Sequence, residues 1–460
     1  MTEHGALAAS LPPGAVLGPD EDLSAYETPW RGDTGRAAFV VRPGDLDQLR
    51  ETVRWLVRAR QPVVVQGANT GLVGASVPGQ GGAVAVLSTE RLTGLLDVHV
   101  ADRAVTAGAG VRLSTLDERL AGHGLELPVD LGADPSVGGI VATNAGGARV
   151  LRHGDVRHRL LGLEAVLLDD DATVVGDLRP LRKKNDTIRV ADILVGSAGL
   201  LAVVSAATLA VEPRPRDRAT AYLLTAGTVV ETCRRLEADL GARVGALELV
   251  SGAALDAAVR RLPDLPDPFP GRSVDVALLV EVTGPGAQDA LVDALDRLGT
   301  LVSDAAVLPP ERAWALRHGL SEALAREGTV LGLDVSVPRA AIEPVRREAA
   351  LVVEGLVPGA RLADFGHVGD GGLHLNVVLP ATASPSDGSM LRRAVYDVVT
   401  RAGGSFSAEH GLGPVNVAWW LEHEPAPARS ALAAVKRALD PYGLLGTEAL
   451  RDAVTEGGRR

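Results

Sequence analysis

The stretch QGANTGLVGASVP, residues 66–78, follows an apolar run at 63–65 that predicts a strand, and it decides which nucleotide-binding fold the chain can form. The Rossmann fingerprint needs G-x-G-x-x-G opening a helix, with an acidic residue about 20 positions later. Here the glycines fall at 67, 71 and 74, and Pro78 stands where that helix would continue. The spacing therefore argues against a Rossmann site. Backbone amides freed by glycine, beside Asn69 and Thr70, could still bind a pyrophosphate.

A second glycine-rich stretch, DLGADPSVGGIVATNAGGARVLRHGD at residues 130–155, carries Ser136, Thr143 and Asn144 among apolar neighbours. A backbone that approaches a large flat ligand closely would explain so many glycines. We expect the strand and glycine-loop pattern of residues 63–71 to recur in altered form at 105–110 and 138–147.

Length and charge limit the class of protein. A chain of 460 residues exceeds one ordinary core, so at least two domains are expected. The net charge of −12 argues against a nucleic-acid or anionic-membrane partner, which would need a basic face. The single cysteine, Cys233, excludes an internal disulfide and has the helical spacing of a packing residue. The start has acidic Glu3 and no sustained apolar core, so we expect no signal peptide and a cytoplasmic location.

One uncharged run, ILVGSAGLLAVVSAATLAV at residues 193–211, is long enough to span a membrane. Its glycines, serines and threonine dilute the apolarity, and valines cluster on both sides of Gly-Ser-Ala-Gly. We therefore predict two buried strands joined by a turn, and no transmembrane segment.

The second half has a different pattern from the first. A helix at 45–60 with an N-cap at Asp45 and a hairpin at 164–175 precede a proline-stiffened linker at 212–216. Beyond the linker, helical and extended patterns alternate, which predicts an α+β domain with a mostly antiparallel sheet. The predicted helices are 229–242, 287–298, 340–353 and 426–438, and the predicted strands are 274–283, 332–337 and 361–367.

The stretch FGHVGDGGLHLNV, residues 365–377, holds His367 and His374 around a turn with four glycines. A helix is excluded because each glycine costs about 1 kcal/mol there. One continuous strand is excluded too, because positions seven apart would point to opposite faces. A hairpin remains, and it can bring both imidazoles to one side as a metal or acid/base site. On these residues alone, a hairpin with two unrelated surface histidines stays an alternative.

Five motifs occur in the order found in one family. GANTGLVG, PSVGGIVATNAGGARVLRHG, LVGSAGLLAVVSAATL, FGHVGDGGLHLN and FSAEHGLG, with DPYGLLGTEAL near the end, resemble the vanillyl-alcohol-oxidase/PCMH superfamily of FAD enzymes. The chain is most similar to its D-2-hydroxyacid dehydrogenase branch, over about residues 26–450. The resemblance implies an α+β protein: a PCMH-type FAD-binding domain of two subdomains, then an α+β substrate domain that caps the flavin.

The implied domains are an N-terminal segment at 1–30, the FAD-binding domain at 31–213, the substrate domain at 214–425, and a C-terminal helix and tail at 426–460 that return to the flavin domain. Non-covalent FAD is implied, since Ala68 or Asn69 stands where relatives carry a linking histidine. The residues assigned to the FAD site are Gly67, Ala68, Asn69, Thr70, Gly71, Leu72, Asp130, Gly132, Ser136, Gly138, Gly139, Thr143, Asn144, Gly146, Gly147 and Val203.

The resemblance also implies a divalent metal, with zinc expected and manganese or iron acceptable, held by His367, His374 and Glu409. His410 would be the general base. Asn376 would face the substrate with His374, since the two alternate along a strand. Arg182 is expected to bind the substrate carboxylate. For Arg317, a second carboxylate contact and a surface position are both open. Asp370 could support one of the histidines or form the turn, and the turn is favoured.

Several positions depart from the family pattern. Asp186 and Ala191 replace a threonine and a lysine that hold a second carboxylate in the hydroxyglutarate enzymes, which argues against D-2-hydroxyglutarate unless Lys183 or Lys184 compensates. Gly372, Asn416 and Gly446 also differ, as does the Gly-Ser-Ala-Gly run.

The expected reaction is oxidation of a D-2-hydroxy acid to the 2-oxo acid, with a quinone, an electron-transfer flavoprotein or O₂ as acceptor. An oxidase using O₂ and a flavin-binding subunit with altered or lost activity remain alternatives. A homodimer is also possible.

Overall fold

The computed structural model of the protein describes residues 4–30, 32 and 34–456. The described helices and strands fall into two compact units. One consists of residues 1–146, 155–214 and 410–460, and the other of 147–154 and 215–409. The predicted domain bounds at Arg31 and at residues 457–460 lie outside the described residues, and the four predicted domains stay a prediction.

The strands, in chain order, are β1 Val16–Leu17, β2 Ala37–Val41, β3 Val63–Gln66, β4 Val84–Ser88, β5 Leu96–His99, β6 Ala104–Gly108, β7 Leu125–Glu126, β8 Leu160–Val166, β9 Val174–Asp177, β10 Val203–Ala210, β11 Glu212–Pro213, β12 Arg218–Thr225, β13 Val244–Ser251, β14 Val276–Thr283, β15 Val302–Leu308, β16 Thr329–Ser336, β17 Arg361–Leu362, β18 Phe365–Gly366 and β19 Gly372–Leu379.

The α-helices are α1 Gly5–Ser10, α2 Ser24–Glu27, α3 Leu46–Ala59, α4 Leu113–Ala121, α5 Val137–Thr143, α6 Val150–His153, α7 Val156–Arg159, α8 Val190–Leu194, α9 Val229–Leu240, α10 Gly252–Arg261, α11 Ala287–Leu298, α12 Pro310–Ala325, α13 Ile342–Leu356, α14 Pro385–Arg401, α15 Gly413–His423, α16 Ala426–Leu439 and α17 Glu448–Glu456. Short 3-10 helices occupy Gly241–Arg243, Gly299–Leu301 and Arg339–Ala341.

The first unit is built on two main sheets. One has the order β1-β2-β4-β3, in which β4 runs parallel to both β2 and β3, and the other is the antiparallel sheet β5-β6-β10-β8-β9. Helix α3 begins where predicted, because the Asp45 side chain accepts a hydrogen bond from the Gln48 N–H. Its leucines and valines at helical spacing are fully buried against the sheets.

The predicted hairpin at 164–175 is confirmed by the antiparallel pairing of β8 and β9. Two other predictions in this unit are wrong. Residues 193–211 form the end of helix α8, a turn and strand β10, so only the second half is a strand. Residues 137–143 form helix α5 in place of a strand and glycine loop, because Ser136 caps the Gly139 N–H and three apolar residues at helical spacing face the core.

The second unit is an antiparallel sheet packed against helices. Its strand order is β15-β12-β14-β13-β18-β19-β16, with β17 also paired to β19. The pairings among its described strands are all antiparallel, which confirms the predicted α+β domain with a mostly antiparallel sheet. Helices α10 and α12 bury alanine and leucine side chains against β12, β13 and β14.

Candidate active site

The glycine-rich hairpin brings the two histidines of the second unit together. Strands β18 and β19 pair with Phe365 opposite His374, and the N–H groups of residues 370, 371 and 372 all donate to the His367 carbonyl. Gly371 has a φ of +94°, and a Cβ there would lie 2.3 Å from the Val337 carbonyl oxygen, so the turn requires glycine. The ring centroids of His367 and His374 are 5.2 Å apart. The predicted hairpin is confirmed.

The side chain of Asp370 serves this turn. Its Oδ1 accepts a hydrogen bond from the Gly372 N–H at 2.8 Å. Gly372, where the family pattern has asparagine, therefore takes part in closing the turn.

Both imidazoles face one carboxylate oxygen. The Nε2 atoms of His367 and His374 each lie 3.6 Å from Oε1 of Glu409. Ligands of a tetrahedral zinc ion, with bonds of about 2.1 Å, are separated by roughly 3.4 Å. The two Nε2–Oε1 separations are longer than a hydrogen bond. They match the distance between two ligand atoms of one zinc ion. The donor set therefore fits a divalent metal.

The second oxygen of Glu409 has a different partner. Oε2 accepts the backbone N–H of Gly147 at 3.0 Å. Gly147 belongs to the segment 147–154, which is part of the second unit, and was predicted to contact the flavin. The amide holds the carboxylate with Oε1 toward the two histidines.

His367 is supported from behind by Glu248 and Arg317. Its Nδ1 lies 2.7 Å from Glu248 Oε1, while Glu248 Oε2 accepts a hydrogen bond from Arg317 Nε at 2.8 Å and forms an ion pair with Arg317 Nη2 at 2.7 Å. Burial raises the pKa of Glu248, but the charges of His367 and Arg317 outweigh it and hold the pKa at about 2. Burial likewise lowers the pKa of His367, yet Glu248 and then Glu409 hold it well above 6.5. Arg317 is 7% exposed, so the surface alternative for it is wrong.

His374 is supported by Asp334, which the register of β16 and β19 places opposite it. The His374 Nδ1 lies 3.4 Å from Asp334 Oδ1, and Oδ2 accepts the N–H groups of Ala408 at 3.1 Å and Glu409 at 2.8 Å. One ligand atom from each of Asp334, His374 and Glu409 lies within 4.8 Å of the others. We assign Asp334 to holding His374 and Glu409, because its oxygens face Nδ1 and backbone amides.

Sequence reasoning missed Glu248 and Asp334. Each is a buried residue and the one acidic residue of its strand, Glu248 in VGALELVS and Asp334 in TVLGLDVS. A buried carboxylate needs a partner, and that signal was available in the sequence.

The other predicted substrate residues, Asn376, His410 and Arg182, lie on different segments of the chain. Asn376 is 4% exposed, follows His374 by two positions on β19 and donates from Nδ2 to the His374 carbonyl at 3.2 Å. His410 directly follows Glu409 in the chain and is the first residue of the third segment of the other unit. Arg182 belongs to that unit too, where its guanidinium donates to the carbonyls of Asp102 and Arg103.

The two glycine-rich stretches meet within the first unit. Residues 67–72 follow β3, and a Cβ on Gly67 would lie 2.4 Å from Ser136 Oγ at the start of α5. The Gly138 N–H donates to the Ala109 carbonyl at 2.8 Å, which packs α5 on the end of β6. This backbone-lined cradle, which a side chain at 67 would fill, fits a ligand held mainly by main-chain groups.

Two asparagines shape the cradle. Asn69 and Asn144 have φ of 55° and 52°. Asn69 donates to the Thr28 carbonyl at 2.9 Å and accepts from Ser76 at 3.1 Å. Asn144 donates to Asp155 and accepts the Arg157 N–H, each at 2.8 Å. Their side chains therefore fix the loops.

The remaining predicted flavin residues surround these groups. Thr143 bonds back to the Gly139 carbonyl at 2.9 Å, and Val203 begins β10. Asp130 and Gly132 lie in the loop before α5, and Gly146 is the last residue of the first segment of the first unit.

Comparison with known proteins finds two family domains along the chain. Residues 37–176 match the FAD binding domain family, and residues 212–448 match the family described as FAD linked oxidases, C-terminal domain. The second match covers more than half of the chain. The chain belongs to the FAD-linked oxidase family.

Relatives and solved structures extend over most of the chain. The rat protein named D-2-hydroxyglutarate dehydrogenase, mitochondrial, is 33% identical, with 94% of this chain and 82% of the relative covered. The D-2-hydroxyglutarate dehydrogenase of Xanthomonas citri pv. viticola is 31% identical, with 92% and 91% covered. The structure of p-cresol methylhydroxylase with substrate bound matches with a TM-score of 0.74 at 13% identity, covering 98% of this chain and 95% of that one.

These findings confirm the predicted superfamily, the fold class and an FAD-linked oxidoreductase acting on CH–OH groups. They overturn the predicted cytoplasmic location, because the rat and cattle relatives are named mitochondrial, although the Xanthomonas relative is not. Across the described residues, the helices are too short or too polar to cross a membrane.

Proposed function

We propose that the protein oxidises a D-2-hydroxy acid to the 2-oxo acid with non-covalent FAD and one divalent metal ion, zinc in the first instance. The observation that carries this proposal is the pair of Nε2 atoms, from His367 and His374, each 3.6 Å from one oxygen of Glu409. Manganese or iron would accept the same nitrogen and oxygen donors. The relatives' names supply the substrate class.

The chemistry divides between cofactors and chain. When bound, FAD would supply the hydride acceptor, and His367, His374 and Glu409 would hold a divalent ion that lowers the pKa of the substrate hydroxyl. We assign His410 as the base that takes the hydroxyl proton. The hydrogen on the substrate Cα would leave as hydride with both electrons of the C–H bond, the electron pair of the O–H bond would form the C=O bond, and the hydroxyl proton would go to the His410 imidazole. Asn376 and Arg182 are proposed to contact the substrate.

Non-covalent FAD follows from the candidate attachment points. Ala68 and Asn69 carry no nucleophile, and Cys233 is fully buried on α9. Burial raises the pKa of the Cys233 thiol to about 12. The thiol is therefore unsuited to a flavin bond.

Two candidate substrates, D-2-hydroxyglutarate and D-lactate, differ in size and in the number of their carboxylates. The named relatives favour D-2-hydroxyglutarate. Asp186 favours a monocarboxylate such as D-lactate, because Lys184, which could offset its charge, binds Asp177 at 2.6 Å. Arg179 binds the same Asp177.

The test is anaerobic reduction of the purified protein. We expect a yellow protein with about one metal ion per chain, bleached by D-lactate or D-2-hydroxyglutarate and not by the L-enantiomers. Colourless, metal-free protein, or bleaching by L-acids alone, would contradict the proposal.

A separate variant tests His410 as the proposed base. His410→Ala should lose bleaching while keeping FAD, and exposed His123→Ala is the matched control. Unchanged reduction in His410→Ala would place the base elsewhere.

Re-oxidation of the reduced protein identifies the electron acceptor. Slow reaction with O₂ and fast reaction with a quinone analogue or an electron-transfer flavoprotein supports a dehydrogenase, and fast reaction with O₂ supports the oxidase. A homodimer is proposed as well, and light scattering gives the mass directly.

A further inference from the structure

Glu248 is a buried carboxylate whose two oxygens have two different partners. It lies on β13 and is 1% exposed. Oε1 contacts His367 Nδ1 at 2.7 Å, while Oε2 accepts one hydrogen bond from Arg317 Nε and forms an ion pair with Arg317 Nη2. Both partners are in the second unit. The carboxylate therefore joins a candidate metal ligand to a fixed positive charge.

This contact decides which nitrogen of His367 is available to a ligand. In the neutral imidazole that binds a metal, an Nδ1–H that donates to a carboxylate leaves the lone pair on Nε2. Nε2 is the atom that faces Glu409. The acceptor at Nδ1 also holds the ring plane and increases the basicity of the coordinating nitrogen.

Arg317 allows Glu248 to remain charged when His367 is neutral. An isolated carboxylate at this depth would cost several kcal/mol. The Arg317 guanidinium donates one hydrogen bond to the Glu248 carboxylate and forms an ion pair with it, and its Cζ lies 4.6 Å above the ring of Phe365, two residues before His367. The cation is thus fixed by the same hairpin that carries the histidines.

The two histidines are supported to different degrees. The Asp334 contact to His374 is 3.4 Å, and the second oxygen of Asp334 is occupied by backbone amides. The Glu248 contact is 0.7 Å shorter (3.4 − 2.7) and has a dedicated cation behind it. The shorter contact between an imidazole and a carboxylate is therefore the one to His367.

We propose that Glu248, kept charged by Arg317, is a positioning residue that sets the tautomer and orientation of His367 for metal binding. This proposal rests on the metal site proposed above. Gln at 248 keeps the shape but can present either an oxygen or an NH₂ group to Nδ1, so it no longer selects the tautomer.

The test measures metal affinity of the full chain, without substrate. Zn²⁺ affinity is obtained by competition with a chelator for the wild type, Glu248→Gln and Asp364→Asn. Glu248→Gln should bind Zn²⁺ about 10–100-fold more weakly, as loss of such a partner does elsewhere. Asp364 is the matched control: it is 2% exposed and its carboxylate binds Arg346. Its variant should keep the wild-type affinity.

A spectroscopic readout separates positioning from general damage. Co²⁺ loaded into Glu248→Gln should show a ligand-field spectrum altered from the wild type, because the His367 ligand is displaced or reoriented. Asp364→Asn should show the wild-type spectrum.

A double variant covers the case in which Glu248→Gln leaves Arg317 buried without its partner and unfolds. Glu248→Gln/Arg317→Met removes both charges, and such replacement of a buried pair is often neutral for stability. It should fold and still bind Zn²⁺ about 10–100-fold more weakly.

Two failures are distinguishable. Wild-type protein that binds no divalent ion would remove the metal site itself. Wild-type protein that binds Zn²⁺, with the single or double variant binding equally tightly and giving the same Co²⁺ spectrum, would overturn only the role of Glu248.

Discussion

The glycine cradle of the first unit consists of residues 67–72 and the start of α5, and the histidine cluster of the second consists of His367, His374 and Glu409. Both are small polar regions, but the cradle is built from backbone and the cluster from side chains. In the cradle, the backbone lies where a ligand would approach, and the side chains of Asn69 and Asn144 are used up in fixing loops. In the cluster, the imidazoles and Glu409 face one another, and the groups behind them are charged. The cradle should therefore be sensitive to added atoms, and the cluster to changed charge.

The largest effect is expected from removing a ligand in the cluster. His374→Ala should lower the rate of flavin reduction by at least about a thousandfold, since metal stabilisation of developing charge contributes several kcal/mol. FAD content should stay unchanged, because the cradle lies in the other unit. Absorbance gives the flavin, metal analysis the ion, and stopped-flow the rate. His374→Ala with wild-type rate would show that the cluster is not catalytic.

The opposite result, weaker FAD binding with unchanged metal content, is expected from a substitution in the cradle. Gly67→Ala places a methyl group 2.4 Å from Ser136 Oγ, so a strain of about 1–3 kcal/mol should weaken FAD binding roughly tenfold to a hundredfold. Metal content should not change. Gly81→Ala is the control, since a Cβ there meets nothing within 4 Å. Equal FAD affinity of the two variants, measured by titration of the apoprotein, would contradict the cradle.

A smaller effect on rate tests the segment 147–154. Arg149 binds buried Glu281, which also accepts the Trp314 Nε1–H at 2.7 Å. Glu281→Gln should destabilise the protein by about 3 kcal/mol, because it leaves a buried arginine poorly paired. It should also slow flavin reduction several-fold, because the Gly147 amide on Glu409 is anchored by that arginine. Urea unfolding and stopped-flow measure the two. If Glu281→Gln lowers the stability but leaves the rate of flavin reduction unchanged, Arg149 contributes to folding alone.

The smallest effect is expected where a carboxylate pairs with arginines alone. Arg261 and two other arginines hold the pKa of Glu327 at about 2. A lowered acid pKa contributes stability above about pH 4.5, and the contribution is lost as the pH falls toward 2. Glu327→Gln should therefore cost about 1 kcal/mol at pH 7 and nothing near pH 2, with unchanged metal affinity. Thermal unfolding across this range checks the sign.

The sequence predicted those elements whose signals are local. Asp45 caps its helix and the glycines of residues 366–372 form their turn with contacts a few residues apart, so both were readable. Helix α5 was missed because its two glycines suggested a loop, although Ser136 and the spacing of Val137, Ile140 and Val141 already carried a helix signal.

The groups behind the histidines depend on pairings between distant residues. Glu248 is 119 positions from His367, and nothing near either residue specifies that contact. The register of β16 on β19, which sets Asp334 opposite His374, is likewise a property of the assembled sheet. The two histidines and Glu409 were therefore predictable as a motif, whereas the pairing of Glu248 with His367 and of Asp334 with His374 was not.

The order of the chain's segments has a consequence for its biosynthesis. Strand β3 lies at the edge of the first unit's parallel strands, and Leu445 forms a parallel bridge to its first residue, Val63. The buried Lys436 donates hydrogen bonds to the Leu200 and Leu445 carbonyls. A nascent chain on the ribosome has therefore already produced the whole second unit before these contacts can form. The second unit can reach its native state first, and the first must wait for the last few dozen residues with that strand edge unpaired. Premature termination near residue 430 would thus leave a protein with its histidine cluster formed and its flavin unit open to aggregation.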